Sequence, residues 1–316
     1  MKLRSHDGVV LKEKKKPYTL SSPWRLYTLC AVPVLLIFVF NYLPMAGIII
    51  AFKNYNYSKG IFGSDWIGFH NFKFFFDSDA FFTITYNTIF MNALFIVLGT
   101  LCAIGLAILL FELKSRGATK IFQTALIVPH FVSWVIAAYM VFALLSPRNG
   151  IINMLLLNLG MEKIDWYSKP EAWPFILTVA HIWKSVGMDC VVYYAALMGI
   201  DSTYYEAADI DGATKWDKIR YITIPTIVPL IVVLMILAVG RIFRADFGLF
   251  YQVPRNVSLL YPTTDVVDTY IFRTMRVTGN MGVSSAVGLL QSVVGLILVF
   301  ITNYLSKRVD PDRGLF

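Results

Sequence analysis

The chain has 316 residues, of which 57% are hydrophobic, 15% aromatic and only 15% charged, with a mean hydropathy of +0.62. Soluble domains carry roughly 25% charged residues, so a soluble protein of this composition could not cover its own surface, and lipid must cover part of it. A net charge of +8 would suit nucleic acid, but no basic soluble stretch is left over to bind it; the Lys and Arg residues instead collect beside the apolar runs.

Residues 1–25 form a basic arm holding Lys2, Arg4, Lys12, Lys14, Lys15, Lys16 and Arg25, read as a solvated tail that sets topology. Beyond it, runs long enough to cross about 30 Å of hydrocarbon lie at Leu26–Phe52, Ala80–Phe111, Ile121–Pro147, Ala172–Ile200, Tyr221–Gly240 and Val277–Ser306. Only Ala172–Ile200 is interrupted by charge, at Lys184 and Asp189. The first run is too long for a signal peptide and no small-residue cleavage site follows it. Pro44, Pro129 and Pro229 within spans are tolerable, because neighbouring helices can satisfy the freed carbonyls. The expected fold class is therefore all-α integral membrane: a six-helix domain over 26–306, flanked by the 1–25 arm and a 307–316 tail.

Six spans put both termini on one side. The two termini and the second-to-third and fourth-to-fifth connections together hold sixteen of the 28 Lys and Arg residues, against nine in the other three connections. The positive-inside rule then makes both termini cytoplasmic. The first outer connection, with Trp66, Phe69, Phe72 and Phe74–Phe76, suits a short helix lying on the outer leaflet rather than a separate domain.

The 201–225 connection is the informative one. Asp201 or Ser202 can cap a helix, Glu206 and Asp209 sit where the macrodipole favours acids, and Glu206-Ala207-Ala208 offers a small, close-approach surface. Gly212 permits a sharp turn. A second short helix with Trp216, Ile219 and Ile222 on one face is expected to end at Pro225, which suits the first turn of the next membrane helix. The result is a helix–turn–helix with a compact exposed knuckle.

The run Tyr205-Glu206-Ala207-Ala208-Asp209, Asp211-Gly212-Ala213, Trp216 and Ile222-Thr223-Ile224-Pro225 resembles the EAA loop of permeases in type I, binding-protein-dependent ABC importers of the maltose-importer kind, in their oligosaccharide and polysaccharide branch. Phe52–Asn56, Trp66–Phe72, Pro129–Trp134, Ala245–Tyr251 and Gly288–Ser292 extend the resemblance from about residue 26 to the end. It implies a six-helix permease whose coupling helix docks on a separate ATPase through Glu206, Ala207, Ala208, Asp211, Gly212 and Ala213. It also implies a second permease subunit (a heterodimer), two ATPase subunits, an extracellular solute-binding protein delivering an oligosaccharide, and residence in a bacterial cytoplasmic membrane.

No Gly-x-x-x-x-Gly-Lys-Ser/Thr loop is present, nor a soluble stretch for a nucleotide-binding domain, so ATP is expected on another chain. No G-x-S-x-G, HExxH or CxxC pattern occurs. The expectation is a non-enzyme with no cofactor and no metal, and Cys30, Cys102 and Cys190 read as apolar filler. Polar groups within spans are costly and become candidates by default: Asn87, Tyr139, Lys184, Tyr193, Tyr194, Arg244 and Gln291 can line a sugar path or serve as helix–helix glue. Lys184 and Asp189 are about 140° apart on a helix, so each should face a different neighbour. Arg241 and Arg244 share a face. The resemblance implies a neutral residue near Arg244, and the departure points to an anionic or polar sugar such as a uronate; snorkelling to the interface explains both arginines without a ligand. An ion-coupled secondary sugar transporter stays open as the alternative, with Asp189 as its relay candidate.

Overall fold

The structure, a computed structural model, describes residues 23–309, so most of the 1–25 arm and of the 307–316 tail lie outside the described residues. The chain divides into two units, one ending at Gly47 and one beginning at Ile48. In the first, helix α1 (Pro23–Ile37) widens into a π turn at Phe38–Tyr42 and then tightens into a 3₁₀ helix, Leu43–Phe52, that runs on past Gly47.

The second unit opens with a short antiparallel pair, β1 (Lys53–Asn54) with β2 (Asp65–Trp66), enclosing the single-turn helix α2 (Gly60–Gly63). Lys53 is buried and its Nζ donates to the carbonyls of Ile61 and Phe62, at 2.9 Å each, closing the pair. A short helix, α3 (His70–Phe76), follows as expected. The aromatic rings of this connection largely pack on one another: Phe52 lies against Trp66, Phe69 and Phe72.

Helices α4 (Ala80–Phe111) and α8 (Trp173–Leu197) form the most extensive pairing in the unit. The reason is compositional: Gly99, Ala103 and Ala107 recur every four residues on the buried face of α4, and small residues let helix backbones approach closely where lipid supplies no hydrophobic drive between them. Val186, Cys190, Tyr193 and Leu197 fill the facing positions.

The third span differs from the single helix expected over Ile121–Pro147. Helix α5 (Arg116–Ile127) runs into a 3₁₀ turn at Val128–Phe131, the chain breaks, and α6 (Trp134–Leu145) leaves at 100° to it. Ser133 begins α6 by accepting from the Ile136 N–H. The break is held by Lys184 of α8, whose Nζ donates to the carbonyls of His130 and Val132 at 2.6 Å each. Among the described residues, five helices are long and apolar enough to span a membrane, six if this bent pair is one span.

After α7 (Ile151–Asn158) and α8, the 201–225 segment gives α9 (Ser202–Ile210) and α10 (Lys215–Lys218). Pro225 stands in the first turn of α11 (Ile224–Val239) as expected, but the short helix before it is not separate: α10 continues through a π turn at Ile219–Thr223 into α11. A proline ring clashes with the carbonyl four residues earlier, and the wider turn at Ile219–Thr223, with Ile224 N–H bonded to Ile219 O, makes room for Pro225. The same device precedes Pro44, where Phe38–Tyr42 is the widened turn. Beyond α11 come α12 (Phe247–Gln252), α13 (Tyr261–Thr264), α14 (Val267–Arg276) and the last span, α15 (Met281–Val309), which starts four residues later than the hydropathy run.

Candidate functional site

A hairpin between α8 and α11 and a cavity lined by α4, α8 and α11 each combine exposure with polar groups. The first is the α9–α10 hairpin. Asp201 caps α9 by accepting from the Thr203 N–H at 3.0 Å, and that N–H holds the Asp201 carboxyl below the usual carboxylate range. Gly212, at φ +76°, makes the left-handed turn, and the Ala213 N–H returns to the Ala208 carbonyl at 2.9 Å, closing the end of α9. Thr214 and Asp217 form a capping box on α10. Lys218 pairs with Asp209 across the turn, and Lys215 reaches Glu112 at the end of α4 at 3.3 Å.

The hairpin is thus a rigid body with a defined outer face. Glu206, Ala207, Asp211 and Gly212 are exposed, with Ala208 and Ala213 half-buried. Tyr204, Ile210 and Trp216 leave large apolar surface in the open, Ile210 at 88%. Its inner face is tied down: the Tyr205 hydroxyl meets the buried Thr223 hydroxyl at 3.0 Å, and its ring lies against Phe111 of α4. The hairpin is therefore tied both to α4 and to the π turn that leads into α11.

The second place is a cavity of about 550 Å³ between α4, α8, α11 and the turn that follows α11. Asn92, Thr100, His181, Ser185, Asp189 and Tyr193 line it along with Arg241, Arg244 and Asp246. The arginines do not lie on a helix face as expected, since α11 ends at Val239; a turn closed by Arg244 N–H to Arg241 O, 2.9 Å, puts both on the cavity. Asn92 donates to the carbonyls of Ile242 and Arg244. Asp246 accepts from the Trp134 indole N–H at 2.7 Å and from the N–H groups of Gly248 and Leu249. The start of α6, the turn and α12 are thereby joined at the cavity edge.

A family model described as the binding-protein-dependent transport system inner membrane component matches residues 95–311, a stretch containing both the hairpin and the cavity. The chain belongs to that family. It is the membrane-spanning permease subunit of an ABC importer, and the ion-coupled alternative falls. Protein LplB of Bacillus subtilis (strain 168) is 36% identical over 306 residues, 97% of this chain and 92% of its own. The polygalacturonan/rhamnogalacturonan transport system permease protein YteP of the same organism is 34% identical over 98% of this chain and 97% of its own. A crystal structure of a bacterial ABC transporter involved in the import of the acidic polysaccharide alginate superposes with a TM-score of 0.82 at 34% identity, over 91% of this chain and 96% of that one.

Within the permease, the pathway residues named from sequence separate. Tyr193 and Arg244 line the cavity, and Arg244 also borders a smaller one beside Gln291. Asn87 is buried, donating to the carbonyls of Pro262 and Asp265, and so ties α4 to α13. Gln291 donates to Phe243 O and Asp268 Oδ2. Lys184 spends its ammonium on the broken span and lies 5.3 Å from the Trp134 ring centroid, away from Asp189. Tyr139 lies apart, in a pocket with Tyr251, Gln252 and Arg255. Asn92, Trp134 and Asp246 went unnamed as site residues; Trp134 and Asp246 fall in the two stretches Pro129–Trp134 and Ala245–Tyr251, and only the fold shows that these stretches meet.

Proposed function

We propose that this permease carries an oligosaccharide, delivered by an extracellular binding protein, across a bacterial cytoplasmic membrane. It does so beside a second, different permease subunit, driven by two separate ATPase subunits. The observation that carries the coupling half is the hairpin: an exposed small-residue knuckle at Glu206–Ala213, locked by caps and pinned to two membrane helices, suits docking into a groove on an ATPase and transmitting its closure. Both termini and this hairpin then lie in the cytoplasm, in line with the excess of Lys and Arg in those segments. The domain layout that goes with this is a 1–25 arm, a 26–306 membrane domain and a 307–316 tail. The saccharide half is supported by the relatives that carry polygalacturonan and alginate and by the polar cavity.

The test is reconstitution with the ATPase and the binding protein. Saccharide-loaded binding protein should raise ATP turnover, and Glu206→Lys or Gly212→Val should abolish that rise while leaving the membrane domain folded. An ATP turnover indifferent to loaded binding protein, or to both substitutions, sinks the reading.

A further inference from the structure

Arg241 and Arg244 stand out among the charged groups at the cavity, where the buried His181 Nδ1 is also without a hydrogen-bond partner and the charge of Arg244 is felt by Asp268. Neither guanidinium makes a hydrogen bond or ion pair among the described residues, and both are exposed on the cavity wall. Their backbone, by contrast, is fixed from both sides. Asn92 of α4 holds the Ile242 carbonyl at 2.8 Å and the Arg244 carbonyl at 3.3 Å. The Ala245 N–H donates to Asp268 Oδ2 at 2.8 Å, and Gln291 donates to that same oxygen and to Phe243 O. An arginine that only snorkels to an interface needs no such platform.

Two acidic residues share the wall, and they differ in what they have left to give. Asp246 is spent: Trp134, Gly248 and Leu249 occupy its oxygens. Asp189 makes no hydrogen bond or ion pair among the described residues. The unspent charged groups are therefore two planar forks of N–H donors, matched to a carboxylate, and one acceptor that suits hydroxyls. A sugar ring bearing both a carboxylate and hydroxyls satisfies all three at once; a neutral hexose leaves the forks without a partner of matching charge.

We infer that Arg241 and Arg244 form a carboxylate clamp that makes this permease selective for uronate-containing oligosaccharides, with Asp189 accepting hydroxyls of the same ring. The inference rests on the saccharide-importer reading above and adds the residues that read the charge. An isolated buried carboxylate would be rejected from such a site, so discrimination comes from pairing the anion with two cations already held in place.

The experiment uses the complete transporter, with its partner permease and ATPases, trapped in its outward-facing state in detergent and free of binding protein. The probes are trigalacturonate and its fully methyl-esterified form, which share every hydroxyl and differ in the carboxylate charges and the ester methyl groups. The wild type should bind the acid at least about tenfold more tightly than the ester, the size expected for charged hydrogen bonds. Arg241→Gln and Arg244→Gln should each bring the acid down towards the ester without weakening the ester, and Arg244→Lys should recover part of the difference. Equal binding of acid and ester by the wild type, or variants that weaken both probes alike or neither, would overturn the clamp. If neither probe binds while a neutral oligosaccharide is taken up by membrane vesicles, the clamp falls and the importer reading survives. If no saccharide of either kind is bound or taken up, both fall.

Discussion

At the scale of single residues, two positions in the membrane domain are constrained for different reasons. Gly187 sits where α8 crosses α5, and a Cβ there would overlap the Leu126 carbonyl. Gly187→Val should cost on the order of 1–3 kcal/mol or more through forced displacement of α5, read as loss of the monodisperse peak in size-exclusion chromatography. Lys184 acts by satisfaction rather than space. Its ammonium takes the two carbonyls released where the third span breaks, one exposed on the subunit and one part-buried, and a backbone acceptor left unpaired out of reach of water costs roughly 1–3 kcal/mol. Lys184→Met should therefore lower the melting temperature of the purified transporter, whereas a residue serving only the transport path would leave it unchanged.

At the scale of elements, the hairpin and its π turn form one lever. Gly212→Val places a β-branched residue at φ +76°, a strain of about 1–2 kcal/mol, and should loosen the turn and uncouple ATP turnover without altering α4–α8 packing. Thr214→Ala removes the capping box and should cost about 1 kcal/mol, giving a milder version of the same defect. The Asp201 cap contributes only while its carboxylate is charged. Because that group is held below its usual range, its contribution is complete above about pH 4 and is lost as the pH falls through the lowered value. Coupling should accordingly stay flat between about pH 5 and 8 in Asp201→Ala and wild type alike, with the two differing by the lost cap and not in pH profile.

For the whole molecule, topology is the first thing to test. Single cysteines at Phe62 and at Ile210, both strongly exposed, placed in a background lacking Cys30, Cys102 and Cys190, should label oppositely with a membrane-impermeant maleimide: Phe62→Cys from outside, Ile210→Cys only after permeabilisation. Much of this architecture was legible because its causes are local. Six apolar runs follow from lipid thickness, and Asp201 and Gly212 announce a cap and a turn by residue type. What escaped depends on contacts distant in sequence. Pro129 and Ser133 signal a break only when Lys184, some fifty residues on, supplies the donors that allow it. Pro225 signals a helix start, and only the widened turn before it lets the helix run through. The cavity escaped for the same reason: Asn92, Trp134 and Asp246 have ordinary neighbours in sequence and meet only in the folded bundle.

The charged cavity also bears on how long a copy of this chain survives. Arg241, Arg244 and Asp246 are open to the outside of the single subunit, and charge facing lipid costs a few kcal/mol per side chain. A newly inserted copy without its neighbours is left with that cost, and in the four unbroken spans after the first no more than 33% of the apolar 18-residue stretch is buried internally. Its turnover should then be set by the supply of the other subunits. In a pulse-chase experiment the chain made alone should decay severalfold faster than the chain made with them, and Arg241→Leu/Arg244→Leu should lengthen the life of the lone copy.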